Sequence, residues 1–469
     1  MALITDLQAL LGPAHVLTGS DAAPWARDWT GAYQGEPLAV LRPASTAEVS
    51  RALALAHAVR APVVPASGRT GLTGATHAPG QIVLSLDRMS RIRLLNARTR
   101  VAVAEAGVVL SRLHDAAEAE GLLFPLTFGA RGQACVGGAL ATNAGGSNVL
   151  RYGSTRELCL GLEVVLADGR VLDLLSELHK DNSGYALRHL FVGSEGTLGV
   201  VTAAALKLVP RPLAHATAMV ALPSLGDALH LLDRARESTG GAVEAFEWMP
   251  RAFIERHVAH KGGREPFEGR YENNVLMEVG ATAPEEAAPG PDGTVPVVAR
   301  VERLLGAMME EGRVLDAVVA RSERERREMW ARREAAAEIT FVTPPFVDTD
   351  VAVPLDRVEA FMADVRARLH ALDPAATDLA VAHLGDGNVH YTAYPSRPDP
   401  AHLLAIREAV DAAAVAQGGS FSAEHGIGLS KLPAMRAHKD QAALEVMRSL
   451  KGALDPYGIL NPGKVVPLP

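Results

Sequence analysis

Pro65-Ala-Ser-Gly-Arg-Thr-Gly-Leu-Thr-Gly74 follows directly on a short apolar run, Val63 to Pro65, and its reading decides the fold. A strand that empties into a glycine loop is a phosphate cradle, because backbone N–H groups converge on an anion with no side chain in the way. The spacing is Gly68-x-x-Gly71-x-x-Gly74, and Gly193-Ser-Glu-Gly196-Thr-Leu-Gly199 repeats its rhythm. Neither is Gly-x-Gly-x-x-Gly, nor the Walker loop with its lysine and hydroxyl, so a nicotinamide-binding Rossmann domain is disfavoured. A third glycine-dense tract lies between them, from Phe128-Gly-Ala-Arg-Gly132 through Val136-Gly-Gly138 to Thr142-Asn-Ala-Gly-Gly146. One such loop alone is more often a tight turn than a cofactor site. Together they suggest an extended dinucleotide laid across one domain.

Around these loops, Ser45-Thr-Ala-Glu48 is a capping box that opens an amphipathic helix to about Arg60. Ile82 to Leu86 and Val101 to Val108 read as strands, and a helix from Leu110 stops at Gly121. Gly161 to Leu166 and Arg170 to Leu174 flank Asp168-Gly169, a hairpin signal. Pro210-Arg-Pro212 looks like a boundary. Beyond it strands alternate with longer helices: helix Leu225 to Glu237, strands Val243 to Trp248 and Val275 to Ala281, helix Pro296 to Glu311, and strand Ala317 to Ala320. A helix from Ser322 to about Glu338, a strand near Val347 to Val353 and a helix from Leu355 to Leu372 follow, with Thr282 to Thr294 a low-complexity surface insertion. The alternation predicts an α+β domain around an antiparallel sheet.

The second informative stretch is His383-Leu-Gly-Asp-Gly-Asn-Val-His390. Gly-Asp-Gly-Asn between two apolar runs predicts a β-hairpin. With Gly385 to Asn388 as the loop, Leu384 pairs with Val389 and His383 falls opposite His390, their Cβ atoms about 5 Å apart. Two imidazoles at that separation can share a cation. Further on, Ser-Ala-Glu424-His425-Gly-Ile-Gly brings a carboxylate as third ligand and another histidine. Such a set leaves coordination positions open, as catalytic metal sites do.

Formal net charge is -8, with no electrostatic footprint for nucleic acid. The charge run Arg321 to Glu334 alternates in sign and reads as a solvated helix face. Cys135 and Cys159 are the only cysteines, which excludes a disulfide scaffold, a cysteine zinc site or an iron–sulfur cluster in this chain. The amino terminus carries acid where a signal peptide needs base, and no run is apolar enough to span a membrane. A cytoplasmic location follows by default, peripheral to a membrane only through an electron acceptor.

The order of these motifs, with Arg151-Tyr-Gly153 and Leu460-Asn-Pro-Gly-Lys464 added, resembles the FAD-dependent D-2-hydroxy-acid dehydrogenases of the vanillyl-alcohol-oxidase-like flavoproteins over nearly the whole chain. The resemblance implies a two-part FAD-binding domain (residues 1–212), a substrate-binding cap domain carrying the metal hairpin (213–420), and a segment returning to the FAD domain (421–469). It implies that Pro65, Ala66, Ser67, Gly68, Arg69, Thr70, Gly71, Leu72 and Thr73 wrap the FAD pyrophosphate. Gly137, Gly138, Asn143, Gly145, Gly146, Val200, Val201 and Thr202 would line the cofactor, with Asn461 near the flavin. Relatives with covalent flavin carry a histidine in the first loop; Arg69 and Thr70 stand there instead, so FAD is expected to be non-covalent.

The same resemblance puts His383, His390 and Glu424 on one divalent metal, zinc first and manganese or iron as alternatives, makes His425 the base, and pairs Arg333 with the substrate carboxylate. A 2-hydroxy acid, D-lactate-like or D-2-hydroxyglutarate, would become the 2-oxo acid, the electrons passing to electron-transfer flavoprotein, a quinone or a cytochrome. Relatives acting on 2-hydroxyglutarate tend to carry lysine, asparagine and threonine where this chain has Asp348, Thr392 and Ala337, which leans the expectation toward a shorter or less acidic acid. A flavin-dependent alkyl transferase and the catalytic subunit of a glycolate oxidase complex are the alternatives. The oligomeric state stays open, a homodimer included.

Overall fold

The computed structural model describes residues 2–467. Contacts divide the chain into two compact units, one of Met1–Gly145, Gly153–Pro210 and Glu424–Pro469, the other of Gly146–Tyr152 and Arg211–Ala423. No helix among the described residues is long and apolar enough to cross a membrane.

In the first unit, Ala39–Leu41, Ile82–Ser85 and Val63–Ala66 run parallel, with Val16–Leu17 antiparallel on the outside. Parallel strands need a crossover, and the helix Thr46–Ala58 supplies it. The Ser45 side chain accepts from the Glu48 N–H, and the Glu48 carboxylate accepts from the Ala44 N–H, one residue earlier than in the standard capping box. Val49, Leu53 and Ala56 then face Leu41, Ile82 and Leu84 in one core. A second, five-stranded sheet is antiparallel, in the order Ile92–Asn96, Val101–Glu105, Val200–Lys207, Cys159–Val165, Val171–Leu174. Both cysteines are buried, and burial pushes the Cys159 thiol up to about 12, so neither behaves as a reactive thiolate.

The second unit is built on seven strands: β1 (Ala214–Leu222), β2 (Val243–Pro250), β3 (Asn273–Ala281), β4 (Asp316–Val319), β5 (Val347–Ala352), β6 (Thr377–His383) and β7 (Asn388–Tyr394). They pair in the order β4-β1-β3-β2-β6-β7-β5, every neighbour antiparallel. Because side chains alternate, one face carries Val220, Val275, Met277, Phe246, Ala382, Val389 and Tyr391. Four helices, α1 (Leu225–Thr239), α2 (Pro296–Glu310), α4 (Val358–Leu372) and α5 (Pro400–Ala416), bury that face. The opposite face is apolar only in part, Met219, Leu276, Met249, Leu379 and Val381 packing with Phe253, Ile254 and Met329. The rest is polar and carries the site described below.

Three expectations about local structure change. The helix expected from Ser322 to Glu338 stops as α3 (Glu323–Glu334) and restarts as Ala336–Thr340. The offset at Ala335 turns Ile339 into the cluster with Phe253 and Ile254. Nor is α3 solvated all round: Met329 and Arg333 are buried, and Arg326 and Trp330 on the same stripe reach the sheet. A run of charges conceals this stripe because its inward members are themselves arginines.

The hairpin forms, but its register differs. His383 pairs with Asn388 and Val381 with His390, so the loop is Leu384 to Gly387. Asn388 is held in the strand by its own side chain, which donates to Asp350 Oδ1 at 2.9 Å and to the Val351 carbonyl at 3.0 Å. Gly387, at φ 80°, takes the left-handed position. The two histidines are diagonal rather than directly opposite, yet still share a face, with ring centroids 5.4 Å apart.

Candidate active site

Loop 65–74 is pressed backbone to backbone against the third glycine tract. A Cβ on Gly68 would lie 2.8 Å from the Cys135 amide nitrogen, and one on Gly138 would lie 2.6 Å from the Ser67 carbonyl oxygen. A Cβ on Gly71 would instead meet nothing within 4 Å. The N–H groups of residues 68–72 donate to no acceptor among the described residues. A row of uncommitted amides on a loop leaving a strand is what a pyrophosphate requires, so this segment fits FAD. The Arg69 side chain turns aside, donating to the Pro24 carbonyl at 2.7 Å over the Trp25 ring.

Gly137 and Gly138 begin the helix Val136–Thr142, which Asn143 closes in the left-handed conformation while its side chain accepts from Ser154 and Arg156. Gly145 ends one stretch of the first unit, and Gly146 belongs to the second. Val200, Val201 and Thr202 are buried in a strand, the Thr202 hydroxyl donating to Glu163.

Glu195, which sequence reading passed over, holds the segment that follows Glu424 and His425. Its buried carboxylate accepts from the Ile427 and Gly428 N–H groups at 2.6 and 2.9 Å, just beyond Glu424 and His425. Burial pushes its carboxyl upward, partly offset by those two bonds. The Leu429 and Ser430 amides donate to the Thr73 carbonyl, so the Glu-His-Gly-Ile-Gly segment runs beside loop 65–74. Asn461 donates to the Glu195 carbonyl at 2.7 Å and accepts from Lys464 at 2.7 Å, and burial lowers the Lys464 ammonium to about 8. His425 and Glu424 lie 3.8 Å apart, each partly exposed.

On the polar face of the second unit, β-pairing sets His383 opposite Glu247 and His390 opposite Asp350. The Glu247 carboxylate is 1% exposed and accepts Arg333 Nε at 2.7 Å and His383 Nδ1 at 2.9 Å. Burial alone would raise its pKa, but His383 and Arg333 outweigh that and leave it lowered. Arg333 therefore reaches the sheet from α3, with Nη2 3.4 Å from His383 Nε2, while Arg332 turns to the Arg264 carbonyl. One pleat from His390, Thr392 donates to Asp348 Oδ1 at 2.7 Å. The pair of imidazoles, one with its Nδ1 committed to a carboxylate, fits a divalent cation. His383, His390 and Arg333 are thus together in this unit, and Glu424 and His425 in the other.

A family model described as the FAD binding domain matches residues 37–175, and one described as the C-terminal domain of FAD linked oxidases matches residues 211–465. The D-2-hydroxyglutarate dehydrogenase of Xanthomonas citri pv. viticola is 37% identical over 455 residues, covering 95% of this chain and 93% of that protein. The mitochondrial enzyme of the same name from Bos taurus is 36% identical over 467 residues, covering 98% and 83%. Among solved structures, p-cresol methylhydroxylase with substrate bound matches with a TM-score of 0.75 at 15% identity, over 99% of this chain and 96% of that one. Alkyldihydroxyacetonephosphate synthase matches with a TM-score of 0.73 at 17% identity, over 98% and 84%. At those identities the structural likeness establishes the vanillyl-alcohol-oxidase-type fold alone.

Proposed function

This chain belongs to the FAD-linked oxidases and is an FAD-dependent oxidoreductase, and we propose that it oxidises a D-2-hydroxy acid to the 2-oxo acid at a site holding one divalent metal, zinc before manganese or iron. The observation that carries this reading is the His383–His390 pair on one sheet face, with Arg333 beside it. His383, His390 and Glu424 would hold the metal. Glu424 is bonded to Ala423, whose N–H donates to the Asp350 carbonyl at 3.3 Å, and Asp350 is the strand partner of His390.

Bound FAD supplies the hydride acceptor and the metal a Lewis acid that lowers the hydroxyl pKa. Arg333 has its Nε committed to Glu247 and its Nη2 3.4 Å from His383 Nε2, and its guanidinium end would take the substrate carboxylate beside that imidazole. His425 takes the C2 hydroxyl proton at an imidazole nitrogen. Residues 66–73 would hold the pyrophosphate on the amides of 68–72, with Gly137, Gly138, Asn143, Gly145, Gly146, Val200, Val201, Thr202 and Asn461 around the rest of the cofactor. The electrons then leave to an external acceptor, electron-transfer flavoprotein, a quinone or a cytochrome.

The Asp348–Thr392 pair favours a particular substrate within the class. A carboxylate one pleat from His390 opposes a second carboxylate on the substrate, so a short or uncharged tail suits this face better than a dicarboxylic acid. Anaerobic addition of D-lactate, D-2-hydroxyglutarate and glycolate, with the L forms as controls, tests both readings. Flavin bleaching by one D acid, lost with a chelator, is expected. A yellow protein that no 2-hydroxy acid bleaches would sink the proposal and bring the alkyl transferase forward.

A further inference from the structure

We propose that Glu247 is a positioning residue for two functional groups at once: it fixes the tautomer of His383 and aims the guanidinium of Arg333. The inference rests on the reading of His383 as a metal ligand and Arg333 as the partner of the substrate carboxylate.

An ionised carboxylate only accepts hydrogen bonds. The Glu247 oxygens lie 2.9 and 2.8 Å from His383 Nδ1, so the hydrogen in that contact belongs to the imidazole. With its proton on Nδ1, His383 carries its lone pair on Nε2, which Arg333 Nη2 approaches at 3.4 Å and which a cation would take in its place. The same carboxylate accepts Arg333 Nε at 2.7 Å, which fixes the plane of the guanidinium and the direction of its terminal nitrogens. Glu247 sits in β2, His383 opposite it in β6, and Arg333 on α3 above them. One buried anion thus ties a strand ligand to a helix cation.

A purely structural ion pair would stabilise the fold without touching metal affinity, so the test is metal binding. In the FAD-loaded protein, zinc is titrated against a chromogenic chelator for the parent, Glu247→Gln and His383→Ala. Glu247→Gln is expected to weaken zinc by about 10–100-fold, and to raise KM for the D-2-hydroxy acid more than it lowers kcat. Zinc affinity within twofold of the parent in Glu247→Gln, while His383→Ala abolishes binding, would overturn the proposal and leave the metal reading standing. Unchanged affinity in His383→Ala would remove the metal reading and the proposal with it. Should Glu247→Gln not fold, the double variant Glu247→Met with Arg333→Met removes both buried charges and is compared with Arg333→Met alone. The double variant is expected to bind zinc more weakly; equal affinities would refute the role assigned to Glu247.

Discussion

Glu278 and Glu247 stand on the same face of the same sheet, each gripped by an arginine of α3, and they do different work. Glu278 accepts two bonds from Arg326, one from Trp330 and one from Thr217. Arg326 spends its remaining terminal nitrogen on Glu323 of its own helix at 3.1 Å, so this pair stays within the scaffold and holds helix to sheet. Glu247 accepts from Arg333 and from His383. Each of these has further nitrogens beyond the shared contact. Two helical turns separate the two arginines, so one helix face offers the same cation twice. What converts a structural pair into a chemical one is where the donor's second end lies: against its own helix for Arg326, against an imidazole for Arg333.

The largest expected effect breaks the functional side. His425→Ala should lower kcat by about 10²–10⁴-fold, read from the rate of anaerobic flavin reduction, with the denaturation midpoint unmoved. Next, Arg326→Met leaves Glu278 as an unpaired buried anion and should cost about 3–5 kcal/mol of stability by urea denaturation. Its folded fraction should keep the parent kcat/KM, whereas Arg333→Met should lose kcat/KM. If both variants lose kcat/KM alike, the distinction between the two pairs fails. Third, zinc at a hundredfold excess over Kd should stabilise the parent by about 2.7 kcal/mol; Glu278→Gln should keep that increment and His383→Ala should lose it.

The smallest effect concerns a third buried carboxylate, Glu244, which pairs with Arg151, Tyr152 and His215. It has the donor types of Glu247 but no second imidazole grouped with it among the described residues. Burial pushes its carboxyl up, and His215, Tyr152 and Arg151 more than offset this, so its pKa is lowered in the fold. The unfolded chain then takes up the proton first on acidification. Glu244's contribution is present above its unfolded pKa and disappears as pH falls through the folded value. Glu244→Gln should flatten the acid limb of a stability–pH curve and leave zinc affinity unchanged; a weakened zinc site would show that sharing an arginine and a histidine does not distinguish Glu247.

Much of this was legible in local sequence. Loop 65–74, the hairpin and the Glu424-His425 segment are contiguous, and contiguous chemistry announces itself by spacing. The hairpin register was off because Gly385 and Gly387 suit several loops equally, and the choice fell to Asn388, whose tie to Asp350 lies on another strand. Glu247 and Glu195 were missed for a related reason. Nothing near Glu247 in the chain marks it, and its partners come to it only through β-pairing and helix packing. The buried stripe of α3 was hidden because Arg326 and Arg333 look like surface residues until the carboxylates beneath them are known.

The bridge between Val63 and Leu460 has a consequence for how the protein is made. Asn461 N–H donates to the Val63 carbonyl and Val63 N–H to the Ile459 carbonyl, so the strand feeding the cofactor loop is finished by residues near the end of the chain. On the ribosome, everything from Arg211 to Ala423 emerges before those residues do. The later-encoded unit has its whole sheet available while the earlier one still lacks a flank. Cofactor capture is therefore expected to wait for Ile459 to Asn461, and a nascent chain halted before Ile459 is expected to hold a folded seven-stranded sheet and no flavin.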